Sequence, residues 1–183
     1  PLIPLKTIAQ IVRDTVILEF APTLVCIVLA GVIGSKIASE LGNMRVSEQI
    51  DALEIMGINT KAYLILPKIV ASLVTIPLLV IISMVLGIWG GRLAGTASGI
   101  ISADVFDRGL LQEFIPYNVT FALIKSYTFA IIISSIPAYY GYYVKGGALE
   151  IGKSSTKSVV VSCIMLLFAD YVLTQLLLNP AAK

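Results

Sequence analysis

Histidine is missing altogether from the 183 residues. Its absence removes the commonest general base at neutral pH and the commonest transition-metal ligand. Charge is scarce as well: Asp, Glu, Lys and Arg make up 13% of the chain, against about a quarter in soluble domains. The net charge of +2 is too small to build a nucleic-acid surface. There are two cysteines, Cys26 and Cys163, both inside apolar runs with no neighbouring cation to stabilise a thiolate. They read as packing residues rather than redox or metal sites. The chain opens at Pro1 with neither Met nor a basic-then-apolar leader, so a further N-terminal segment is expected to precede it.

What the chain has in abundance is apolar length. It is 57% hydrophobic, and Ile69 to Gly91 contains no charge at all. Roughly 20 helical residues at about 1.5 Å each cross a hydrocarbon core of about 30 Å. Four such spans are predicted, at about 16–37, 62–91, 116–144 and 158–178. Pro77 and Pro137 fall mid-span, where a helical bundle tolerates a kink. Segments of alternating polarity are absent, which argues against a β-barrel. The expected fold is all-α: a polytopic transmembrane helical bundle forming a single domain over 1–183.

Between the spans lie three predicted loops, 39–61, 92–115 and 145–157. Lys36, Arg45, Lys61 and Lys68 flank the first, and Lys145, Lys153 and Lys157 the third, whereas the second holds Arg108 away from its membrane edges. Positive residues favour the cytoplasmic side, which puts the first and third loops there. In the second loop a short helix is expected after Ser102. The first loop is the most informative. Gly42-Asn43 reads as the end of one helix, Ser47 as the cap of a new one with Glu48 at its first position, and Gly57 as its C-terminal glycine. This helix, about 47–56, is too short to span. Val46, Ile50, Leu53 and Gly57 form one stripe, and Glu48, Asp51 and Glu54 an acidic flank. Helices that lie on anionic lipid are usually basic, so docking to a soluble partner is the sharper reading beside that of a surface connector.

Gly147-Ala-Leu-Glu-Ile-Gly152-Lys153-Ser154 fits the P-loop pattern letter for letter. A working P-loop follows a strand and opens a helix in a parallel sheet. Here it follows a membrane span, so it is read as a flexible cytoplasmic turn. Ionisable groups inside spans cost a few kcal/mol each and default to functional candidates. Glu19, close to Pro22, is one, and Lys125 and Asp170, in separate spans, are the others. Two roles stay open for Lys125 and Asp170: an ion pair joining two helices, or a part of a transport path. Arg92 is expected to snorkel to the interface. The small-residue clusters Gly31 to Ser35 and Gly87 to Gly95 allow close helix approach, within the chain or at a seam between two copies.

Several of these residues carry a resemblance. Glu19-Phe-Ala-Pro22 is followed by Ala30-Gly-Val-Ile-Gly-Ser-Lys-Ile-Ala-Ser-Glu-Leu-Gly-Asn-Met-Arg-Val-Ser-Glu-Gln-Ile-Asp-Ala-Leu-Glu-Ile-Met-Gly57. With Tyr63-Leu-Ile-Leu-Pro-Lys68, Gly87-Ile-Trp-Gly-Gly91, Leu123-Ile-Lys-Ser126 and Ala169-Asp-Tyr-Val-Leu-Thr174, nearly the whole chain resembles the MlaE (YrbE-type) permease family. The resemblance implies a non-catalytic subunit of an ABC-type transporter in the bacterial inner membrane, moving phospholipid between inner and outer membranes and so maintaining outer-membrane lipid asymmetry. It implies a homodimer, a cytoplasmic ATPase subunit that binds ATP and Mg, a periplasmic MCE-domain lipid-binding subunit, and no cofactor in this chain. The family pattern has five spans behind an N-terminal interfacial helix, so this chain would lack that helix and most of the first span. Ser47, Glu48, Gln49, Ile50, Asp51, Leu53, Glu54 and Met56 would form the family's coupling helix, which seats on the ATPase. Glu19 and Pro22 would lie by the lipid path, with Lys125 and Asp170 as the membrane-embedded charges. Many members carry basic residues where this chain has Leu18 and Val32. The competing readings are an intramembrane lipid-modifying enzyme using Glu19 or Asp170, and an ion-coupled secondary transporter. The lack of histidine and clustered carboxylates weighs against the first, and the lack of an internal repeat against the second.

Overall fold

The computed structural model describes residues 5–178, and every regular element among them is helical. The first stretch is continuous from Leu5 to Val46. It comprises α1 (Leu5–Thr15), a π-helical segment (Val16–Leu24), α2 (Val25–Leu29), a second π segment (Ala30–Gly34) and α3 (Ser35–Val46). Two expectations are corrected here. The first helix is far longer than 16–37, and Gly42-Asn43 does not end it. Gly42 is buried inside α3, and a Cβ there would come within 3.1 Å of the Ile151 side chain. Its small size serves packing, not termination.

Next come α4 (Gln49–Ile55), α5 (Thr60–Leu64), α6 (Leu66–Ala97), α7 (Ala103–Leu111), α8 (Pro116–Tyr142) and α9 (Ala148–Leu178). Four stretches are long and apolar enough to cross a membrane: Thr7–Val46, Thr60–Ala97, Pro116–Tyr142 and Ala148–Leu178. The last begins at Ala148 rather than Ser158, so most of the expected third loop is helix. Prolines open α6 and α8, where a first-turn residue has no intrahelical acceptor to reach. The spans are apolar on nearly every side, as a lipid solvent requires.

The third span, α8, is the hub: it packs against α9, α3, α6 and the first π segment. Cys26, Ile76, Val80, Phe129, Ile133 and Leu166 meet in the main core. Buried serines send their hydroxyls to carbonyls one turn back, as Ser134 does to Ala130 (2.7 Å) and Ser158 to Ser155 (2.7 Å). Those donors are thereby paired within hydrocarbon, whereas the hydroxyls of Ser162 and Thr174 are buried without a hydrogen-bond partner among the described residues. Small residues set the helix spacing. A Cβ on Gly87, Gly91 or Gly95 would lie within 2.9, 2.8 and 2.9 Å of Val16, Val12 and Ile101, so α6 offers a notch that these side chains fill. Gly34 likewise faces Pro137 at 3.1 Å, whereas Gly31 and Gly90 face open space.

At the end of the bundle that carries the 98–115 connection, α7 is clamped from two sides. Arg13 is buried and donates to the carbonyls of Leu110 (2.6 Å) and Gln112 (2.9 Å), which close the C-terminal end of α7. Arg92 grips both carboxylate oxygens of Asp107 at 2.8 and 3.0 Å, where free snorkelling had been expected. Those hydrogen bonds hold the Asp107 carboxyl below the usual carboxylate range. The tie is therefore present at neutral pH and is lost as the pH falls through that lowered value.

The tightest contact lies between α3 and α8. A Cβ on Gly141 would sit 2.5 Å from the Ala38 carbonyl oxygen and 2.9 Å from its Cα. Gly141→Ala is expected to pry the two helices apart and to cost about 1–3 kcal/mol, seen as a lower unfolding temperature in detergent. Gly152→Ala, which meets no atom within 4 Å, should leave that temperature unchanged or slightly raised.

Candidate functional site

The three charged residues of the membrane interior come together. Lys125, wholly buried on α8, places its Nζ 2.6 Å from Asp170 Oδ1 on α9 and 3.0 Å from Glu19 Oε1 in the first π segment. It also donates to the carbonyl of Leu18 at 3.1 Å and lies 5.1 Å from the centroid of the Phe121 ring. An ammonium has three protons, and here it donates to Leu18 and Glu19 and forms an ion pair with Asp170. Thr23 Oγ1 is 3.2 Å from both Glu19 Oε2 and Asp170 Oδ1, completing the cluster.

Pro22 explains the carbonyl contact. In an α-helix the Leu18 oxygen would accept from the backbone nitrogen four residues on, which is Pro22 and carries no hydrogen. The turn around it is π-helical instead, in which a carbonyl pairs with the N–H five residues on, and the Leu18 oxygen accepts from Lys125 as well. Pro22 was expected only beside the lipid path, on the strength of the family resemblance, with no contact to Lys125 foreseen. The usable signal was its spacing from the charged position beside Leu18.

The cluster is lopsided. The Lys125 side chain is 0% exposed and that of Asp170 19%, but that of Glu19 is 44% exposed. Glu19 borders an open cleft of about 220 Å³ with Phe20, Thr23 and Leu24. One face of the cluster therefore offers carboxylate oxygens and a hydroxyl to whatever occupies the cleft, while the lysine stays sealed behind them.

The second predicted group lies outside the spans. Ser47 caps nothing ahead of it: its hydroxyl donates backwards to the Asn43 carbonyl at 2.7 Å, and it follows the last residue of α3. Glu48 turns the chain in a left-handed conformation (φ 61°), and α4 starts at Gln49. At the other end Gly57 adopts φ +79°. Its N–H reaches the Glu54 carbonyl (3.0 Å), and the Ile58 N–H reaches Leu53 (3.1 Å), a pairing that ends α4 sharply. Ile50 is fully buried beneath the helix and Leu53 half-buried, while Gln49, Ile55 and Met56 are exposed, Ile55 at 88%.

The acidic flank is divided by the fold. Glu48 is exposed. Asp51 pairs with Arg45 at 2.7 Å. Glu54 accepts from the Tyr142 hydroxyl at 2.9 Å and from Thr60 Oγ1 at 3.2 Å, and the two hydroxyls are themselves 2.7 Å apart. Glu54 and Tyr142 thus bolt α4 to the end of α8. The P-loop lookalike is not a turn. From Ala148 it is α-helix, with the N–H groups of Glu150 and Ile151 already bonded to the Gly147 carbonyl and Lys153 paired with Glu150 at 2.7 Å. A phosphate cradle needs those amides free.

Four apolar spans around an ion cluster, with an external helix tied to the third span, define a multi-pass helical membrane protein. The family description "Permease MlaE" matches residues 5–176, and the chain belongs to that family. It is 37% identical over 171 residues to a probable ABC transporter permease protein of Rickettsia bellii, covering 93% of this chain and 66% of that one. A probable ABC transporter permease protein of Synechocystis is 32% identical over 93% of this chain and 65% of its own length. The chloroplastic protein TRIGALACTOSYLDIACYLGLYCEROL 1 of Arabidopsis thaliana is 36% identical over 89% of this chain and 47% of its own length. The chain thus spans just under two thirds of the length of the bacterial relatives it matches.

Lys125→Met is expected to leave Glu19 and Asp170 facing each other without a cation, at a cost of about 3–5 kcal/mol. Thermal unfolding in detergent would show it. Neutralising all three together (Lys125→Met, Glu19→Gln, Asp170→Asn) should restore most of that loss, because no uncompensated charge remains.

Proposed function

We propose that this permease moves phospholipid between the inner and outer membranes of a diderm bacterium, driven by ATP hydrolysis in a separate cytoplasmic subunit. The observation that carries the reading is α4, a short helix held outside the spans with Ile55 and Met56 turned to solvent. Apolar side chains displayed on a fixed, stapled helix are the usual equipment of a docking surface. In this reading Gln49, Ile55 and Met56 face the ATPase, with Ser47 and Glu48 at the rim, while Ile50, Asp51, Leu53 and Glu54 mount the helix on the bundle. ATP and Mg belong to the partner.

Motion of α4 reaches the membrane through the Glu54–Tyr142 hydrogen bond. Tyr142 closes α8, and the same helix carries Lys125 to the cluster with Glu19 and Asp170. A rigid helix transmits displacement along its whole length, so the outer helix and the inner charges act on one lever. The open cleft beside Glu19 supports a lipid path there: it is apolar along Phe20 and Leu24 and polar at one end, as an amphiphile is. The Arabidopsis relative is named after a diacylglycerol glycolipid, which agrees with lipid cargo. Two copies of the permease in the inner membrane and a periplasmic MCE-domain subunit complete the assembly.

The reading is tested on the full transporter. Ile55→Asp with Met56→Asp should lower recovery of the ATPase with the permease by roughly tenfold or more, the scale of losing an apolar anchor, without lowering the permease's unfolding temperature. Recovery equal to wild type would refute docking at α4. Tyr142→Phe should keep the ATPase bound and reduce lipid-stimulated ATP hydrolysis several-fold.

A further inference from the structure

A cleft of about 390 Å³ opens sideways between the first and second spans, at the end of the bundle where α4 lies. Val32 and Ala71 give it an apolar wall, with Thr75 further along; Lys36, Glu40 and Lys68 surround its mouth. Lys68 Nζ is paired with Glu40 Oε2 at 2.8 Å. Lys36 has neither ion-pair nor hydrogen-bond partner among the described residues and is exposed. The mouth therefore carries two cations against one anion.

Its depth is fixed by the sequence. Lys68 immediately precedes the charge-free run Ile69 to Gly91, roughly 35 Å of helix at about 1.5 Å per residue and so slightly longer than a hydrocarbon core of about 30 Å. The ammonium groups lie at head-group level, and the apolar wall runs from them into the hydrocarbon. A lysine near a helix end commonly snorkels to water on its own. Two lysines from different helices at the mouth of one lateral cleft, with a single carboxylate between them, make a converging site. Basic pockets between spans at this level suit phosphorylated lipid head groups.

We propose that this cleft holds an anionic phospholipid of the surrounding leaflet, its phosphate between Lys36 and Lys68 and an acyl chain against Val32 and Ala71. The site is separate from the Glu19 cleft and rests on membrane embedding alone, not on what the permease carries. Glu40 is the internal competitor: it occupies Lys68 when no lipid is present and yields one of that ammonium's three donors to the phosphate when lipid binds.

The permease, purified with its partners, is titrated with phosphatidylglycerol and with phosphatidylcholine and read by native mass spectrometry. Phosphatidylglycerol should bind roughly tenfold tighter, the scale expected of two lysines at the interface. Lys36→Gln with Lys68→Gln should erase that preference while leaving phosphatidylcholine retention and unfolding temperature unchanged. Glu40→Gln should strengthen phosphatidylglycerol binding, an increase that a damaged fold would not produce. Equal retention of the two lipids by the wild type, or an undiminished preference in the double variant, would overturn the proposal. Displacement of phosphatidylglycerol by millimolar inorganic phosphate would reassign the mouth to a soluble anion. Binding by the lone permease but not by its dimer would hand the cleft to a second copy of the chain.

Discussion

A lysine enclosed in a bilayer has no water to accept its three protons, and the architecture of this protein follows from how Lys125 finds substitutes. Asp170 comes from the last span, and Glu19 and the Leu18 carbonyl from the first, so three spans must meet at one depth and in one rotational setting. A shift of any one of them by a turn would strand an ion in a medium where doing so costs several kcal/mol. The cluster therefore acts as a register key. It is weak evidence of stability gained, but strong evidence of geometry specified.

The rest of the bundle serves the same end by close approach. Without water, apolar burial gives helices little reason to associate, so contact area and backbone proximity decide. Gly141 lets the backbone of α8 touch that of α3, and the Gly87–Gly91–Gly95 notch admits Val16, Val12 and Ile101. Hydroxyls cross where the backbones come nearest: Ser155 reaches the Ser35 carbonyl at 3.2 Å, and Ser154 that of Tyr140 at 2.8 Å. The two arginine ties on α7 and the Glu54–Tyr142 bond on α4 then fasten the two ends.

The helical membrane class was legible because charge-free runs of span length have one physical meaning. The details that escaped share a cause: a residue type with two uses. Gly42 reads as a helix stop, yet its lack of a side chain makes room for Ile151. Ser47 reads as an N-cap, but its nearest acceptor is the carbonyl of Asn43 behind it. Gly147 to Ser154 reads as a flexible turn because glycine and serine also loosen a chain, yet from Ala148 its backbone is already helix. The acidic flank looked uniform because helical periodicity places residues on faces without naming neighbours. Tyr142 and Thr60, which donate to Glu54, come from other elements. The Leu18 carbonyl was readable in principle, since a proline inside a membrane helix always releases an acceptor four residues earlier.

The two π segments have an effect on shape. Phe20, Leu24, Val28, Val32 and Lys36 are all exposed at four-residue spacing. In a uniform α-helix such a row drifts by about 40° per step and would wind well around the axis over that distance. Wider turns hold more residues each and cancel much of the drift. The first span consequently presents one straight outward keel, from the Glu19 cleft in the interior to the lysine at the head-group boundary, without rolling away from it at any depth.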